Sequence, residues 1–367
     1  MEVFFFIGIV ISFLLYVLVF SKKNKHQADA IFGVWQLVFL IHFTLLYIRF
    51  SDHGEVFSFL TGLDTPFVLV HIPLIFFYTS AVTGNSLPNS KKMLHLLPFG
   101  IVFLMSVLSF VVYEADDKLK LYNDQLGREY AILDILFVVQ AIAYFPFLFK
   151  SLKRYSIKIK NQFSNVDDIN LRWLQRIIMG AAMAFCINII LIFLVKRLDI
   201  LSVEFIGKLT VLIVCGFQVY LGYYGLKYTA IFSEFSISIS NDVKTKYDKT
   251  GINSTTTKEK FKELLFFMGK EKPYLNAELT LHQLADEFGV TYNHLSQIIN
   301  ENSQKNFYSF INQYRLNESI RLLQDEKNNK YTILAIAYES GFKSKSVFNT
   351  LFKKEKGITP SEFRKAL

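Results

Sequence analysis

Apolar residues fill the first 227 positions of this chain in long runs, and they recur at helical spacing in the remainder. Seven apolar stretches of roughly 20 residues can be drawn, at about Val3–Phe20, Ala30–Ile48, Pro66–Thr83, Met93–Tyr113, Tyr130–Phe149, Trp173–Val195 and Phe205–Gly225. A helix of about 20 apolar residues crosses the roughly 30 Å hydrocarbon core of a bilayer with its own backbone hydrogen bonds satisfied. The pattern therefore predicts a seven-span transmembrane domain over residues 1–227.

The charges between these stretches alternate in sign. Lys and Arg follow the first, third and fifth stretches, whereas Asp and Glu follow the second and fourth; the loop after the sixth has mixed charge and fits poorly. Lys and Arg are retained on the cytoplasmic side of a membrane, which predicts an external N-terminus and a cytoplasmic C-terminal region. The first stretch does not read as a cleavable signal, because no basic residue precedes it and its lysines come after it.

Polar residues inside the predicted spans are the candidates for binding a ligand or signal. They are His42, His71, Gln140, Asn188 and Gln218. The alternative is that they form hydrogen bonds between helices and hold the bundle together. Cys186 and Cys215 lie inside apolar runs, which favours core positions over a disulfide or a metal site. Since no catalytic motif is present, we expect no enzyme activity, no metal and no cofactor.

The chain turns polar between residues 228 and 257, which we assign as a cytoplasmic linker. Residues 231–240 alternate partly between apolar and polar side chains, which suggests a short strand. Fully flexible, 30 residues would span about 30 Å and would hold a following domain close to the membrane.

Residues 258–367 show helix start and stop signals that predict seven short helices. Thr280 opens a helix with a capping box to Gln283, Gly289 supplies a turn, and Thr291 caps the next helix. The same order recurs further on: Thr332 opens a helix, Gly341 turns the chain, Ser344 opens a helix that ends at Gly357, and Thr359 begins a last one. The predicted fold is all-α: a seven-helix transmembrane bundle followed by a soluble seven-helix domain with two helix-turn-helix motifs.

The polar faces of the second helix in each motif are typical of DNA-reading helices. Asn and Gln amides pair with adenine, Ser and Thr reach several base edges, and Lys suits guanine or phosphate. The net charge is +9 for the chain, and +6 of it falls in the stretch from Lys327 to Leu367, where a polyanion would bind. For one such helix alone, a solvated helix face is the favoured explanation, but two such helices in one basic domain favour DNA binding. The candidate DNA-binding residues are Asn293, His294, Ser296, Gln297, Lys343, Lys345, Ser346, Asn349, Thr350, Lys353 and Lys354.

A connecting helix from about Asn306 to Asp325 would set the distance between the two motifs. At 1.5 Å per residue it would be roughly 30 Å long, close to the roughly 34 Å of one turn of B-DNA. A single chain could therefore place both recognition helices in successive major grooves.

Residues from about 260 to 366 resemble the AraC/XylS family of bacterial transcription regulators. The resemblance is carried by residues 281–300, by 306–315, and above all by Ile336-Ala-x-x-x-Gly-Phe-x-Ser-x-Ser-x-Phe-x-x-x-Phe-Lys-Lys-x-x-Gly-x-Thr-Pro-x-x-Phe-Arg364. It implies two helix-turn-helix motifs, base contacts from Asn293, Ser296 and Gln297 and from Lys345, Ser346, Asn349 and Thr350, and activation more often than repression. The front half departs from the family's common soluble sensor and is similar to its membrane-anchored members.

The leading interpretation is a sequence-specific transcription regulator anchored in the bacterial inner membrane, with the bundle as sensor. The expected partners are double-stranded DNA, the lipid bilayer, a second copy of the chain in a homodimer, RNA polymerase, and an unknown small-molecule or membrane signal. The alternative is a membrane receptor or transporter with an auxiliary DNA-binding tail. A membrane enzyme ranks third, since it lacks a recognisable catalytic constellation.

Overall fold

The computed structural model of the chain describes residues 2–23, 25–50, 57, 60, 62–112, 128–167, 169–198, 209, 211–224 and 254–367, and its described regular structure is almost wholly helical. In chain order the α-helices are α1 (Glu2–Phe20), α2 (Gln27–Phe50), α3 (Val68–Val82), α4 (Asn89–His95), α5 (Leu97–Val112), α6 (Arg128–Gln162), α7 (Arg172–Leu198) and α8 (Val211–Tyr224), then α9 (Ser254–Glu271), α10 (Leu281–Phe288), α11 (Tyr292–Ser303), α12 (Phe307–Gln324), α13 (Ile333–Glu339), α14 (Lys345–Lys356) and α15 (Pro360–Lys365). The all-α prediction is confirmed. The strand expected within residues 231–240 lies outside the described residues.

The chain divides into two compact units. The first comprises Met1–Lys153 with Leu171–Thr245, and the second Arg154–Asn170 with Lys246–Leu367. A helix lies at each of the seven predicted apolar stretches, although the stretch at Met93–Tyr113 is broken into α4 and α5, which bend by 54°. Four helices in the described part of the chain are long and apolar enough to cross a membrane, or five if the bent pair counts as one span.

Polar side chains join helices within the first unit. The Gln218 amide of α8 donates to Ser12 of α1 and, at 3.1 Å, to the Gln36 Oε1 of α2. The Gln140 amide of α6 donates to the Leu69 carbonyl of α3 at 3.0 Å. Hydrogen bonds of this kind hold neighbouring helices together.

The second unit contains the predicted helical domain with its expected caps. Thr280 and Gln283 form a reciprocal capping box at the start of α10, and Thr359 and Glu362 form another at the start of α15. Gly289 and Gly357 adopt left-handed backbone angles at the ends of α10 and α14. The first helix of this domain begins at Ser254, four residues before the boundary expected at Lys258.

Two apolar cores lie in the domain, one for each helix-turn-helix motif. The first includes Leu284, Leu295 and Ile298 from α10 and α11, and the second includes Ile336 and Phe348 from α13 and α14. Helix α12 serves both cores: Phe307, Phe310 and Ile311 pack in the first, Leu316 and Leu323 in the second. Its 18 residues make it about 27 Å long at 1.5 Å per residue, so one rigid element separates the two motifs.

Candidate nucleic-acid interface

The second helix of each motif turns its apolar side into a core and its polar side outward. In α11 the buried residues are Leu295, Ile298 and Ile299, and in α14 they are Phe348 and Phe352. Helical periodicity then leaves the remaining positions on the opposite face, where a DNA groove can be reached. Each helix is capped by a hydroxyl, Thr291 in the first motif and Ser344 in the second.

None of the eleven predicted DNA-binding side chains is buried. Seven are exposed, namely Asn293, Lys343, Lys345, Ser346, Thr350, Lys353 and Lys354, and four are half-buried, namely His294, Ser296, Gln297 and Asn349. The structure therefore places the whole set at the surface of α11, of α14 and of the turn before α14. Whether each of these side chains contacts a base remains a prediction, to be tested residue by residue.

The two recognition helices differ in electrostatic character. Helix α14 ends on Lys353, Lys354 and Lys356 and begins on Lys345, whereas the sequence of α11 contains neither Lys nor Arg. Cationic side chains attract the phosphate backbone whatever the sequence, and neutral amides act only at short range on base edges. The second motif can thus supply electrostatic attraction while the first supplies polar contacts.

Several candidate side chains already have partners within the free protein. The Gln297 amide donates to Glu301 Oε1 at 2.9 Å, and the Asn300 amide donates to Ser296 Oγ at 3.3 Å. The Thr350 hydroxyl donates to the Ser346 carbonyl at 2.8 Å, so that hydroxyl is engaged by its own helix. Lys343 Nζ lies 2.6 Å from Glu278 Oε1 in a solvent-exposed ion pair. The first three contacts join residues four apart on one helix, as helical geometry allows, whereas Lys343 and Glu278 are distant in sequence.

Arg315 and Asn312 are buried polar residues that do not belong to the predicted DNA-binding set. Arg315 is 1% exposed and Asn312 is 4% exposed on α12. A signal was available, because Arg315 falls on the apolar face of that helix, four residues after Ile311 and eight after Phe307. An arginine on such a face must find hydrogen-bond acceptors inside the protein.

The candidate ligand-binding residues of the apolar half take part in different sets of hydrogen bonds. His42 Nδ1 and His71 Nε2 lie 3.0 Å apart, and the Trp35 indole donates to His71 Nδ1 at 3.1 Å. Gln140 and Gln218 bind other groups, as described above, and the Asn188 side chain lies outside the described residues. Among the described residues no three His, Cys, Asp or Glu side chains come together in a way that could hold a metal ion.

Residues 284–366 match the model of a protein family described as a helix-turn-helix domain, of the AraC type. No curated protein and no solved structure matches the chain. The matched region runs from α10 to α15 and includes both recognition helices, the connecting helix and the basic stretch at the end of the chain. Proteins of this type are typically DNA-binding regulators rather than enzymes. Over residues 284–366 the chain is therefore similar to the helix-turn-helix domain of AraC-type DNA-binding transcription regulators.

Proposed function

We propose that the chain is a sequence-specific transcription regulator held in the bacterial inner membrane by a seven-span bundle formed by residues 1–227, with its DNA-binding domain in the cytoplasm. One observation carries the proposal: an AraC-type helix-turn-helix domain lies in the same chain as at least four helices long and apolar enough to cross a bilayer. The alternation of loop charges supports an external N-terminus and a cytoplasmic domain, the side on which DNA is found.

In this proposal α11 and α14 enter successive major grooves of one duplex. Residues near the start of a recognition helix reach base edges most readily, which favours Asn293, Ser296 and Gln297 in α11 and Lys345, Ser346 and Asn349 in α14. Because the Thr350 hydroxyl donates within its own helix, Thr350 offers chiefly its methyl group, which suits the methyl of thymine. Lys343, Lys353 and Lys354 bind phosphates of the DNA backbone. His294 lies on the polar face of α11 beside the base-reading residues.

Substitutions distinguish the base-reading residues from the phosphate-binding ones. Asn349→Ala or Gln297→Ala should weaken operator binding by about 1–3 kcal/mol and relax the preference at particular base pairs. Lys354→Ala should weaken all sequences alike and lower the slope of log affinity against log salt by about 1. A salt titration on operator and scrambled duplexes measures both. Equal, sequence-blind losses from all three variants would refute the assignment of the base-reading face.

The sensor role of the bundle and the pairing of two chains belong to the same proposal. Symmetric regulators commonly bind paired sites as dimers, and a signal that changes the pairing would change operator occupancy. Genome-wide mapping of the tagged full chain is compared with a version that lacks residues 1–153 and 171–227 but keeps residues 154–170, which belong to the DNA-binding unit. Cross-linking of membranes that contain the full chain tests the pairing. Unchanged promoter occupancy without the bundle, with only monomers cross-linked, would refute it.

The same experiments separate a regulator from a membrane receptor or transporter with an auxiliary DNA-binding tail. In that alternative, uptake of a substrate would survive removal of residues 258–367, and gene expression would not depend on the recognition helices. Membrane fractionation of the tagged chain, with an alkali wash to remove peripheral proteins, tests the anchoring itself. Release of the chain into the supernatant of the alkali wash would contradict the anchoring.

A further inference from the structure

The segment that joins α6 to α7 is part of the DNA-binding unit. Residues Arg154–Asn170 form one compact unit with Lys246–Leu367, although they lie between two predicted spans in the sequence. Phe163 pairs with Thr280 in an isolated antiparallel bridge, and the Ser164 amide donates to the Leu279 carbonyl at 3.2 Å. The segment is itself ordered, because the Tyr155 hydroxyl of α6 donates to the Ile169 carbonyl at 3.1 Å.

Ser164 uses all of its polar atoms in this contact. It is 1% exposed, and its hydroxyl donates to the Leu279 carbonyl at 2.6 Å while accepting from Arg315 Nη2 at 2.9 Å. Its carbonyl oxygen accepts from Arg315 Nη1 at 3.1 Å and from Asn312 Nδ2 at 3.0 Å. A buried polar group that is removed from such a set leaves its former partners unsatisfied.

Arg315 is the centre of this contact between Phe163–Ser164 and the stretch formed by Leu279, Asn312 and Arg315, which we call the joint. Besides Ser164, its guanidinium donates to the Tyr274 carbonyl from Nε and to the Asn276 carbonyl from Nη2, both at 2.8 Å. Burial lowers the pKa of Arg315 to about 10, so the group is still cationic at neutral pH. A buried cation needs fixed dipoles in place of water, and Ser164 supplies two of the oxygen atoms that serve this purpose.

The joint lies where the two helix-turn-helix motifs meet. Asn312 and Arg315 occupy the part of α12 between Ile311, which packs in the first core, and Leu316, which packs in the second. The stretch from Tyr274 to Leu279 also touches the second motif. A Cβ added at Gly341 would overlap the Tyr274 carbonyl oxygen, and Glu278 pairs with Lys343.

Helix α6 leads directly into the joint. The predicted span on this helix ends near Lys150, and the helix continues without a break to Gln162, about 18 Å further at 1.5 Å per residue. Phe163 and Ser164 therefore follow directly on the helix that contains the predicted span.

We propose that the Phe163–Ser164 segment is the docking element through which the apolar half of the chain controls the DNA-binding domain. When docked on Leu279, Asn312 and Arg315 it fixes the two recognition helices at the spacing that one duplex requires. A signal that moves α6 withdraws this segment from the joint. The two helix-turn-helix motifs are then held together less firmly, and operator binding is weakened. This inference rests on the proposed function as a membrane-held regulator.

The first test is Ser164→Lys in the full-length protein in membranes, with Ile157→Lys as its matched control. This control substitution adds the same charge to the same segment, at a position where the native Ile157 is 52% exposed. Ser164→Lys places a second cation beside Arg315, and operator affinity should fall at least about tenfold with protection reduced from two major grooves to one. Ile157→Lys should stay within about twofold of the wild type, the range of a surface change. Wild-type affinity and a complete footprint for Ser164→Lys would overturn the inference.

The second test measures docking itself, without DNA. Opposed residues of an antiparallel pair have Cα atoms about 4.5–5.5 Å apart, within the range that a disulfide bridges. Phe163→Cys with Thr280→Cys, in a chain whose Cys186 and Cys215 are replaced by Ala, should cross-link on oxidation of membranes. A protease site inserted between residues 240 and 250 then gives two fragments that stay joined until reductant is added.

The pair Ile157→Cys with Thr280→Cys is the control and should leave the fragments separate. Separate fragments from the Phe163 and Thr280 pair as well would overturn the docking. Cross-linking of the double-cysteine variant, together with a wild-type chain that binds no operator, would instead overturn the proposed function, so the two failures are distinguishable.

Discussion

Replacing Gly341 with alanine should damage the second helix-turn-helix motif far more than the same replacement at Gly357 or Gly289. All three glycines have left-handed backbone angles, with φ of +85° at Gly341, +78° at Gly357 and +76° at Gly289. Alanine in this conformation costs about 1–2 kcal/mol. The same change restricts the unfolded chain and returns about 0.4–1 kcal/mol. These contributions are nearly equal at the three positions and cancel when the variants are compared.

The difference lies in what a new Cβ would meet. At Gly357 and Gly289 nothing lies within 4 Å, whereas at Gly341 the atom would overlap the Tyr274 carbonyl oxygen and lie 2.9 Å from Leu275 Cα. Both are backbone atoms and cannot rotate aside. Overpacking of this kind costs about 1–3 kcal/mol, so Gly341→Ala should lower the local free energy of unfolding by about that much more than Gly357→Ala.

Amide hydrogen exchange in the purified full-length protein measures this difference directly. Peptides covering α13 and α14 should exchange about 5- to 140-fold faster in Gly341→Ala than in Gly357→Ala, since each 1.4 kcal/mol of opening free energy is a factor of ten. Operator binding should weaken in parallel. Equal exchange in the two variants would refute the close approach of Gly341 to the Tyr274–Leu275 backbone.

Three further changes are expected to have measurable effects. Glu278→Gln should release Lys343 from its ion pair and strengthen binding to any duplex about 1.5- to 5-fold at low salt, since an exposed pair is worth about 0.2–1 kcal/mol; weaker binding in a band-shift titration would contradict Lys343 as a phosphate ligand. Hydrogen bonding from Arg321 holds the pKa of Glu318 below its ordinary value of 4.5, so the stability due to this carboxylate is complete above pH 4.5 and is lost as the pH falls through the lowered pKa. Glu318→Gln should therefore flatten the pH dependence of stability below pH 4.5, and an unchanged acid limb in urea titrations would rule this out. Phe348 is fully buried between Phe342 and Phe352, and Phe348→Ala should cost about 3–5 kcal/mol, more than Val347→Ala beside it; comparable exchange rates in these two variants would show that the second core is not centred on Phe348.

Contacts between residues close in sequence were predictable, because the partners are fixed by helical geometry alone. Thr280 and Gln283 are three residues apart and bond each other's backbone at 3.2 and 2.9 Å. Thr359 and Glu362 repeat this pattern at 3.3 and 2.8 Å. The same local reasoning located both glycine turns and the exposed faces of α11 and α14.

Contacts between residues distant in sequence could not be predicted in this way. Gly289 and Gly341 occupy equivalent turns in sequence, yet of the two only Gly341 is packed against other backbone, because the Tyr274–Leu275 backbone approaches Gly341. Ser164 and Arg315 are 151 residues apart, and nothing in the local pattern around Ser164 distinguishes it from a loop serine. Similarly, the bend between α4 and α5 falls inside a run that hydropathy treats as continuous.

The polar character of the Ser164–Arg315 joint suits an element that must open. An apolar contact of similar size would lose its whole hydrophobic stabilisation on separation, at about 25 cal/mol for each Å² exposed. In a polar joint, by contrast, water replaces each hydrogen bond that is broken, so the net cost is a small part of the gross interaction. A signal can shift the equilibrium between the docked and the withdrawn segment only by the difference in its binding free energy for the two states. A joint with a small net free energy needs only a small difference of this kind. The buried arginine therefore makes the docked arrangement specific in geometry without making it costly to release.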